Sequence, residues 1–185
     1  MSTFEFHSPA TAPDAARPLL EKVASQFGFV PGLLGGLANS PAALEGYLTL
    51  AGAFERSSLT RVEQQVVALA VSVENACEFC VSAHSFIARN LAKVDVDTIQ
   101  ALRNGGKLTD PRLDALATFA RQIVARRGWV DDRDISDFEG AGFDRAQALD
   151  VVLGVSLKTL SNYANHILKT PVDSAFLADR WHRAT

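Results

Sequence analysis

The sequence predicts an all-α protein, and three observations lead to that prediction. Apolar residues recur at three- and four-residue spacing through most of the 185 positions, which is the period of one helix face. Serine, threonine, aspartate or proline precedes these stretches, as expected at helix starts. No stretch alternates apolar and polar residues over the length of a strand, so we expect no sheet.

Length and composition fit a globular domain with no strongly charged surface. A chain of this length buries roughly 70% of its unfolded surface, which is enough for a core without disulfide bonds. The content of 48% hydrophobic and 21% charged residues is ordinary for a globular protein. The net charge is −3 and lysine and arginine form no cluster. Nucleic acid and anionic membrane surfaces are therefore not expected partners.

Targeting and membrane signals are not evident in the sequence. The N-terminus lacks the basic and apolar regions of a signal peptide, and no apolar stretch reaches 18 residues. We therefore expect no membrane association and a cytoplasmic protein. In that compartment, a Cys-x-x-Cys pair is more often redox-active or metal-binding than a permanent disulfide.

The first elements are an N-terminal arm and three helices. Residues 1–13 contain two prolines and are expected to form an extended arm, and residues 14–185 are expected to form one all-helical domain. Gly28 is a typical helix end. Ser40 followed by Pro41 is typical of a cap and a first helical position. The predicted helices of this part are 14–27, 33–38 (a short helix or turn) and 41–54.

A helical hairpin is predicted in the middle of the chain. Thr60 and Glu63 have the spacing of a capping box and start its first helix, whose apolar stripe is expected to be core. Asn75 and Glu78 have the same spacing, so we expect a second helix over residues 76–92.

The remaining helices have clear start signals as well. Asp110 followed by Pro111 opens a strongly amphipathic helix, Asp144 precedes a long one, and Pro171 ends that long helix. The predicted ranges are 96–103, 111–127, 134–139, 145–168 and a last helical stretch from 172.

Residues 74–84 contain both cysteines of the chain and one of its four histidines. On a helix, the spacing Cys77-x-x-Cys80-x-x-x-His84 brings the three side chains to one face. A helix start favours thiolate over thiol, and the thiolate is the reactive form of cysteine. His84 lies one turn beyond Cys80, where a general base could take a proton from the thiol. This motif is the strongest candidate for a site of chemistry.

This motif and residues 69–76 before it resemble the core of the carboxymuconolactone decarboxylase and alkylhydroperoxidase D superfamily, most closely its peroxidase-related branch. Further similar segments are residues 27–31, 40–41, 162–166 and 170–173. The resemblance implies an alkylhydroperoxidase D-like helical bundle whose central helical hairpin carries the CxxC motif. It also implies a homo-oligomer, commonly a trimer or hexamer.

The resemblance further implies a thiol-dependent hydroperoxide reductase that serves in antioxidant defence. By the family pattern, Cys80 attacks the peroxide, Cys77 resolves the product to a disulfide, and His84 transfers the proton. Re-reduction then needs an external dithiol reductant. No metal, flavin or haem is expected as a cofactor.

The sequence departs from the family pattern at the proton relay. The family's alkylhydroperoxidases carry a glutamate twelve residues before the first motif cysteine, and this chain has Gln65 there. Glutamine forms hydrogen bonds but cannot exchange a proton near neutral pH. Glu63 is two positions away and points to a different helix face. Gln65 and Glu63 are the candidates for proton relay or water positioning, and Phe79 occupies the position of a second relay histidine.

Several alternative interpretations of these residues remain open. The cysteines could be unreactive buried thiols, or they could bind zinc together with His84 and a fourth ligand such as His166. His166 and Asn162 lie four positions apart and are candidates either for a pocket or for helix packing.

Two other functions remain open as well. In a decarboxylase or lactone-branch enzyme, His84 would transfer protons while the cysteines stay idle, so replacing both cysteines would leave the activity intact. In a non-catalytic redox-sensing module, the disulfide would change the assembly without any turnover of peroxide.

Overall fold

The structure is a computed structural model that describes residues 4–183. This range contains nine α-helices, one 3₁₀ helix and no strand, so the predicted all-α fold class is confirmed. None of the helices in this range is long and apolar enough to cross a membrane. In chain order the helices are α1 (Arg17–Phe27), α2 (Gly32–Leu37), α3 (Pro41–Glu55), α4 (Arg61–Glu74), α5 (Glu78–Asn90), α6 (Val96–Arg103), α7 (Pro111–Ala125), α8 (Asp132–Gly140), α9 (Arg145–Leu168) and the 3₁₀ helix (Ser174–Asp179).

Side-chain caps begin most of these helices, because the first backbone N–H groups of a helix need partners. At the start of α4, Thr60 Oγ1 accepts from the Glu63 N–H at 3.2 Å, and the Glu63 carboxylate accepts from the Thr60 N–H at 2.8 Å. This is the predicted capping box. At the start of α3, Ser40 Oγ accepts from the Ala43 N–H, as its sequence pattern indicates.

Several helix starts differ from the predicted ones by one to three residues, and two of these differences have a clear local cause. The predicted box of Asn75 and Glu78 does not form, because Asn75 ends α4 and Ala76 has a left-handed backbone with φ 53°. A residue in that conformation cannot belong to a right-handed helix, so α5 begins only at Glu78. Helix α8 begins two residues before its predicted start, because Asp131 caps it by accepting from the Asp134 N–H at 3.0 Å.

Helix α4 is the centre of the fold and packs against α5, α7 and α9. Its residues 66–72 are all buried. Gly154 of α9 lies where a Cβ atom would be 2.7 Å from the Phe54 ring and 2.9 Å from Val67, so only glycine permits this close packing. Because Lys158 follows one helical turn later, this contact also fixes where Lys158 meets the central hairpin.

A second apolar cluster lies beside the main core and combines α1, α2 and the start of α5. Cys77, Phe79 and Cys80 belong to it. Phe176 of the 3₁₀ helix packs edge-on against Phe79, with 6.1 Å between the ring centroids. The cysteines therefore lie among apolar side chains and not at an exposed helix end.

The chain's two terminal segments hold this second cluster in place. In the N-terminal arm, the His7 N–H donates to the Gly35 carbonyl of α2 at 3.1 Å, and a Cβ at Gly35 would lie 2.8 Å from the His7 carbonyl oxygen. After α9, the Asp173 carboxylate accepts from the Gly32 N–H at 3.1 and 3.2 Å. Both segments thereby bind α2, which lies next to the cysteines.

Candidate active site

The turn between α4 and α5 places both cysteines. The left-handed Ala76 reverses the chain, and the Cys77 N–H then donates to the Ser72 carbonyl at 2.9 Å. Cys77 is consequently the N-cap of α5, and Cys80 lies in the first turn. The free N–H groups and the helix dipole at this end both favour a negative charge.

The two sulfurs are buried and lie close together. Cys77 is 1% exposed and Cys80 is 2% exposed, and both are free thiols. The side-chain amide of Asn165 in α9 donates hydrogen bonds to both sulfurs. Its Nδ2 lies 3.2 Å from Cys80 Sγ and 3.8 Å from Cys77 Sγ. This shared donor stabilises negative charge on either sulfur.

Lys158 of α9 supplies a positive charge beside Cys80. Its Nζ lies 3.7 Å from Cys80 Sγ, and the residue is only 1% exposed. A buried ammonium group is costly unless a negative charge and hydrogen bonds compensate it. The thiolate of Cys80 is such a charge, so the lysine and the cysteine stabilise each other's ionised forms.

These neighbours separate the acidities of the two thiols. Burial by itself would raise the pKa of Cys80, but hydrogen bonding from Cys77, the Lys158 charge and Ser161 outweigh it and lower that pKa below the ordinary thiol value. The same hydrogen bond to Cys80, followed by burial, raises the pKa of Cys77. The site therefore favours a thiolate at Cys80 and a thiol at Cys77.

His84 is hydrogen-bonded on both ring nitrogens. Its Nε2 lies 2.8 Å from Lys158 Nζ, and its Nδ1 lies 2.9 Å from Gln65 Oε1. An ammonium group only donates, and a carbonyl oxygen only accepts. His84 must therefore accept at Nε2 and donate from Nδ1, which is the neutral Nδ1–H tautomer. Burial, and then the Lys158 charge, lower the pKa of His84, which agrees with a neutral ring.

Lys158 thus lies between His84 and Cys80. Within residues 4–183 no hydrogen bond joins the His84 ring to either sulfur. Opposing effects act on Lys158: burial lowers its pKa, but the negative charge of Cys80 offsets this and raises it. Lys158 is consequently an ammonium group that His84 and Gln65 orient toward the thiolate.

A large apolar cavity opens onto these groups. It has a volume of about 490 Å³ and includes Cys80, His84 and Lys158 in its wall. The rest of the wall is mostly aromatic and aliphatic, with Phe27, Phe29, Leu33, Leu34, Tyr47, Leu48, Phe79, Phe86, Ile87 and Phe176. We call it the Cys80 cavity. Burial is the main reason that the pKa of Tyr47 is raised, so its phenol stays protonated in this wall.

A neighbouring cavity of about 240 Å³ meets the first one at His84 and Lys158. Gln65 lies in its wall together with the polar side chains of Glu55, Arg61 and Gln64. His84 and Lys158 therefore lie where the two cavities meet.

The structure brings together only part of the predicted set of site residues. Gln65 lies next to His84, as expected from its position in the family pattern. Glu63 lies elsewhere, because it caps α4 and forms an ion pair with Arg112 at 3.1 Å. Its side chain is therefore not placed to relay protons to the cysteines.

The two α9 residues that were predicted as pocket candidates, Asn162 and His166, lie in different environments. Asn162 is buried and supports the α4–α5 turn, accepting from Asn75 Nδ2 at 3.0 Å and donating to Ser72 Oγ at 3.3 Å. His166 is exposed and lies beside Cys77 in a smaller cavity. Neither residue lines the Cys80 cavity.

Two site residues were missed by the sequence reasoning, Lys158 and Asn165. The signal for them is their helical spacing, because the buried face of α9 runs through positions 151, 154, 158, 161 and 165. A lysine on an apolar face is unusual, since lysine is almost never fully buried without a partner. That exception could have identified Lys158.

The zinc alternative for the cysteines requires four ligands that converge on one point. Among residues 4–183, no group of three or more histidine, cysteine, aspartate or glutamate side chains is close enough to hold a metal ion. The set of Cys77, Cys80, His84 and His166 therefore does not converge on one point as a zinc site requires.

Comparisons with known proteins agree with this fold. Residues 41–122 match the model of the carboxymuconolactone decarboxylase family. A search of curated proteins found no match. Among solved structures, the chain resembles the alkylhydroperoxidase AhpD core of an uncharacterized peroxidase-related protein from Ralstonia eutropha JMP134. The TM-score is 0.81 at 24% identity, over 98% of this chain and 100% of that one.

Two further solved structures are similar over most of their length. An uncharacterized peroxidase-related protein from Silicibacter sp. TM1040 has a TM-score of 0.77 at 19% identity, over 90% of this chain and 88% of that one. The debrominase Bmp8, in a complex with 2,3,4-tribromopyrrole, has a TM-score of 0.79 at 14% identity, over 97% of this chain and 96% of that one. At such identities the similarity establishes a common fold. The match over residues 41–122 lies inside this shared fold, so this segment is similar to the carboxymuconolactone decarboxylase family.

Proposed function

We propose that the protein is a thiol-dependent hydroperoxide reductase in which Cys80 is the attacking thiolate and Cys77 the resolving thiol. The observation that carries this proposal is the buried Cys80 sulfur in the wall of the Cys80 cavity, with Lys158 Nζ at 3.7 Å and Asn165 Nδ2 at 3.2 Å. These two groups supply the charge and the hydrogen bond that a reactive thiolate needs.

The first chemical step is attack on the peroxide. The Cys80 thiolate attacks the terminal oxygen of ROOH, the O–O bond breaks, and RO⁻ departs with the bonding electron pair. Cys80 becomes a sulfenic acid. The ammonium group of Lys158 is the nearest acid, so it protonates the departing oxygen and yields ROH. Lys158 then regains a proton from water.

The second step forms the disulfide. The Cys77 sulfur attacks the sulfur of the Cys80 sulfenic acid, and hydroxide leaves, taking up the Cys77 proton to give water. Peroxide is thereby reduced by two electrons and the dithiol is oxidised by two. Re-reduction requires two thiol equivalents from outside the chain.

In this proposal His84 and Gln65 are positioning residues. His84 cannot take the Cys80 proton directly while its Nε2 accepts a hydrogen bond from Lys158. The expected role of His84 as the general base is therefore replaced by an electrostatic role of Lys158. That arrangement also accounts for a glutamine at position 65, since orienting His84 requires an acceptor but no exchangeable proton.

Reductive dehalogenation is a second candidate, supported by the similarity in fold to the debrominase and by the apolar Cys80 cavity. The Cys80 thiolate would attack the bromine of an electron-rich aryl bromide, and the carbon would take up a proton. Cys77 would then displace bromide from sulfur and leave the same disulfide.

Two further proposals concern the setting of the reaction. We infer a cytoplasmic location, because a dithiol that must be regenerated by external thiols suits a reducing compartment.

We also infer a homo-oligomer, which exposed apolar residues on α9 support, among them Leu149 at 70% and Ile167 at 66% exposure. Light scattering of the purified protein at several concentrations tests the oligomer.

The function is tested by rapid mixing of the reduced protein with cumene hydroperoxide, hydrogen peroxide or tribromopyrrole, while sulfenic acid and disulfide are followed. We expect one Cys77–Cys80 disulfide per peroxide, no reaction in Cys80→Ser, a stable sulfenic acid in Cys77→Ser and slower oxidation in His84→Gln. Consumption of neither peroxide faster than by free dithiothreitol would refute the peroxidase proposal. If only tribromopyrrole gives the disulfide, with release of bromide, the second candidate is favoured.

A further inference from the structure

The two sulfurs face different cavities. Cys80 lies in the wall of the Cys80 cavity, and Cys77 does not. Cys77 lies instead in the wall of a separate cavity of about 200 Å³, and Cys80 does not line that one. Phe79 contributes to both walls and separates the two spaces. We call the smaller space the Cys77 cavity.

The wall of the Cys77 cavity differs in chemistry from that of the Cys80 cavity. Asn165, which is 4% exposed, lines it, and its Oδ1 atom is buried without a hydrogen-bond partner in the described part of the chain. The same is true of Thr170 Oγ1. Exposed His166 and Lys169 lie at the rim. The wall of the Cys77 cavity therefore carries polar and charged groups, whereas that of the Cys80 cavity is mostly aromatic and aliphatic.

We propose that the Cys77 cavity admits a small thiol reductant, which attacks Cys77 Sγ of the disulfide from the side opposite to the peroxide. This inference rests on the proposed function, since it assigns the second half of the same redox cycle. The volume of about 200 Å³ fits a low-molecular-weight thiol and not a folded domain. A thiol that carries both a carboxylate and an ammonium group would suit Lys169 and Glu78, which lie in this wall.

The chemistry of exchange agrees with entry at Cys77. The incoming thiolate forms a bond to Cys77 Sγ, the S–S bond breaks, and its electron pair goes to Cys80 Sγ as a thiolate. A second thiol then attacks the mixed disulfide and releases Cys77, so two thiols become one disulfide while the protein regains its dithiol. The more acidic thiol is the better leaving group, and Lys158 and Asn165 stabilise Cys80 in that role.

The first test locates the attack in the unmodified sequence. The disulfide is prepared with diamide, so peroxide activity is not needed, and is then treated briefly with glutathione and trapped with N-ethylmaleimide. Mass spectrometry should find glutathione on Cys77 and N-ethylmaleimide on Cys80. Glutathione on Cys80, or failure of diamide to form the Cys77–Cys80 disulfide, would overturn the proposal. If glutathione is found on Cys77 but the protein does not reduce peroxide, only the proposed function is refuted.

The second test blocks the Cys77 cavity with a bulky side chain at its rim. His166→Trp should slow reduction of the diamide-formed disulfide by glutathione about tenfold, because exchange depends on access to the attacked sulfur. Gln100→Trp is the control, since Gln100 is an exposed residue of α6 and lines neither cavity. It should leave that rate within about twofold of wild type.

A reciprocal variant completes the design. Ala175 is exposed and lines the Cys80 cavity, so Ala175→Trp should slow oxidation by cumene hydroperoxide and leave re-reduction by glutathione at the wild-type rate. Equal slowing of both half-reactions by His166→Trp would indicate general distortion and overturn the proposal. Equal rates of re-reduction in His166→Trp and Gln100→Trp would overturn it as well.

Discussion

Replacement of Lys158 by methionine removes the positive charge beside Cys80 and keeps most of the side-chain volume. At 3.7 Å and an effective dielectric constant of about 20, an ammonium–thiolate pair interacts by roughly 4–5 kcal/mol, or about three pKa units. We therefore expect the pKa of Cys80 to rise by about two to three units in Lys158→Met. Oxidation by peroxide near neutral pH should slow in proportion to the lost thiolate.

The assay is the ultraviolet absorbance of the thiolate as a function of pH, measured in a Cys77→Ser background so that one sulfur titrates. Lys22→Met is the matched control, because Lys22 is an exposed lysine of α1 and should leave the pKa of Cys80 unchanged. A rise of less than about half a pKa unit in Lys158→Met would refute the reasoning, since the charge would then contribute little at that distance.

Three further predictions concern packing, acid stability and the relay. Gly154→Ala should lower the free energy of unfolding by about 1–3 kcal/mol, because the new methyl group would lie 2.7 Å from the Phe54 ring; denaturant titration measures this. Gly46→Ala, which meets no atom within 4 Å, should instead be neutral or stabilising by up to about 1 kcal/mol. Because the pKa of His84 is lowered in the folded state, the unfolded chain takes up a proton near pH 6.5 that the folded one does not. The free energy of unfolding should thus fall below about pH 6.5, by up to about 1.4 kcal/mol per pH unit, and less steeply in His84→Gln. Finally, Gln65→Glu should raise the pKa of His84, because a carboxylate accepting from Nδ1–H favours the imidazolium; a histidine NMR titration in which that pKa falls or stays would contradict this.

The central hairpin illustrates how far the sequence alone leads. The Thr60 and Glu63 box and the apolar spacing of α4 predicted its first helix correctly, because caps and periodicity act within a few residues. The same reasoning was wrong at Asn75, whose amide instead donates to Asn162 at a separation of 87 residues. Where a side chain fits two roles, the tertiary partner that it contacts decides between them. The local pattern does not contain that partner.

The local pattern of the sequence determined the all-α fold and the first helix of the hairpin. Only the tertiary structure decided what surrounds the sulfurs. Lys158 and Asn165 reach Cys80 from positions 78 and 85 residues away, and the close contact at Gly154 sets their distance. The physical reason is that capping and periodicity are short-range, whereas the acidity of a buried thiol and the cavity it faces depend on groups that only packing brings within a few ångströms.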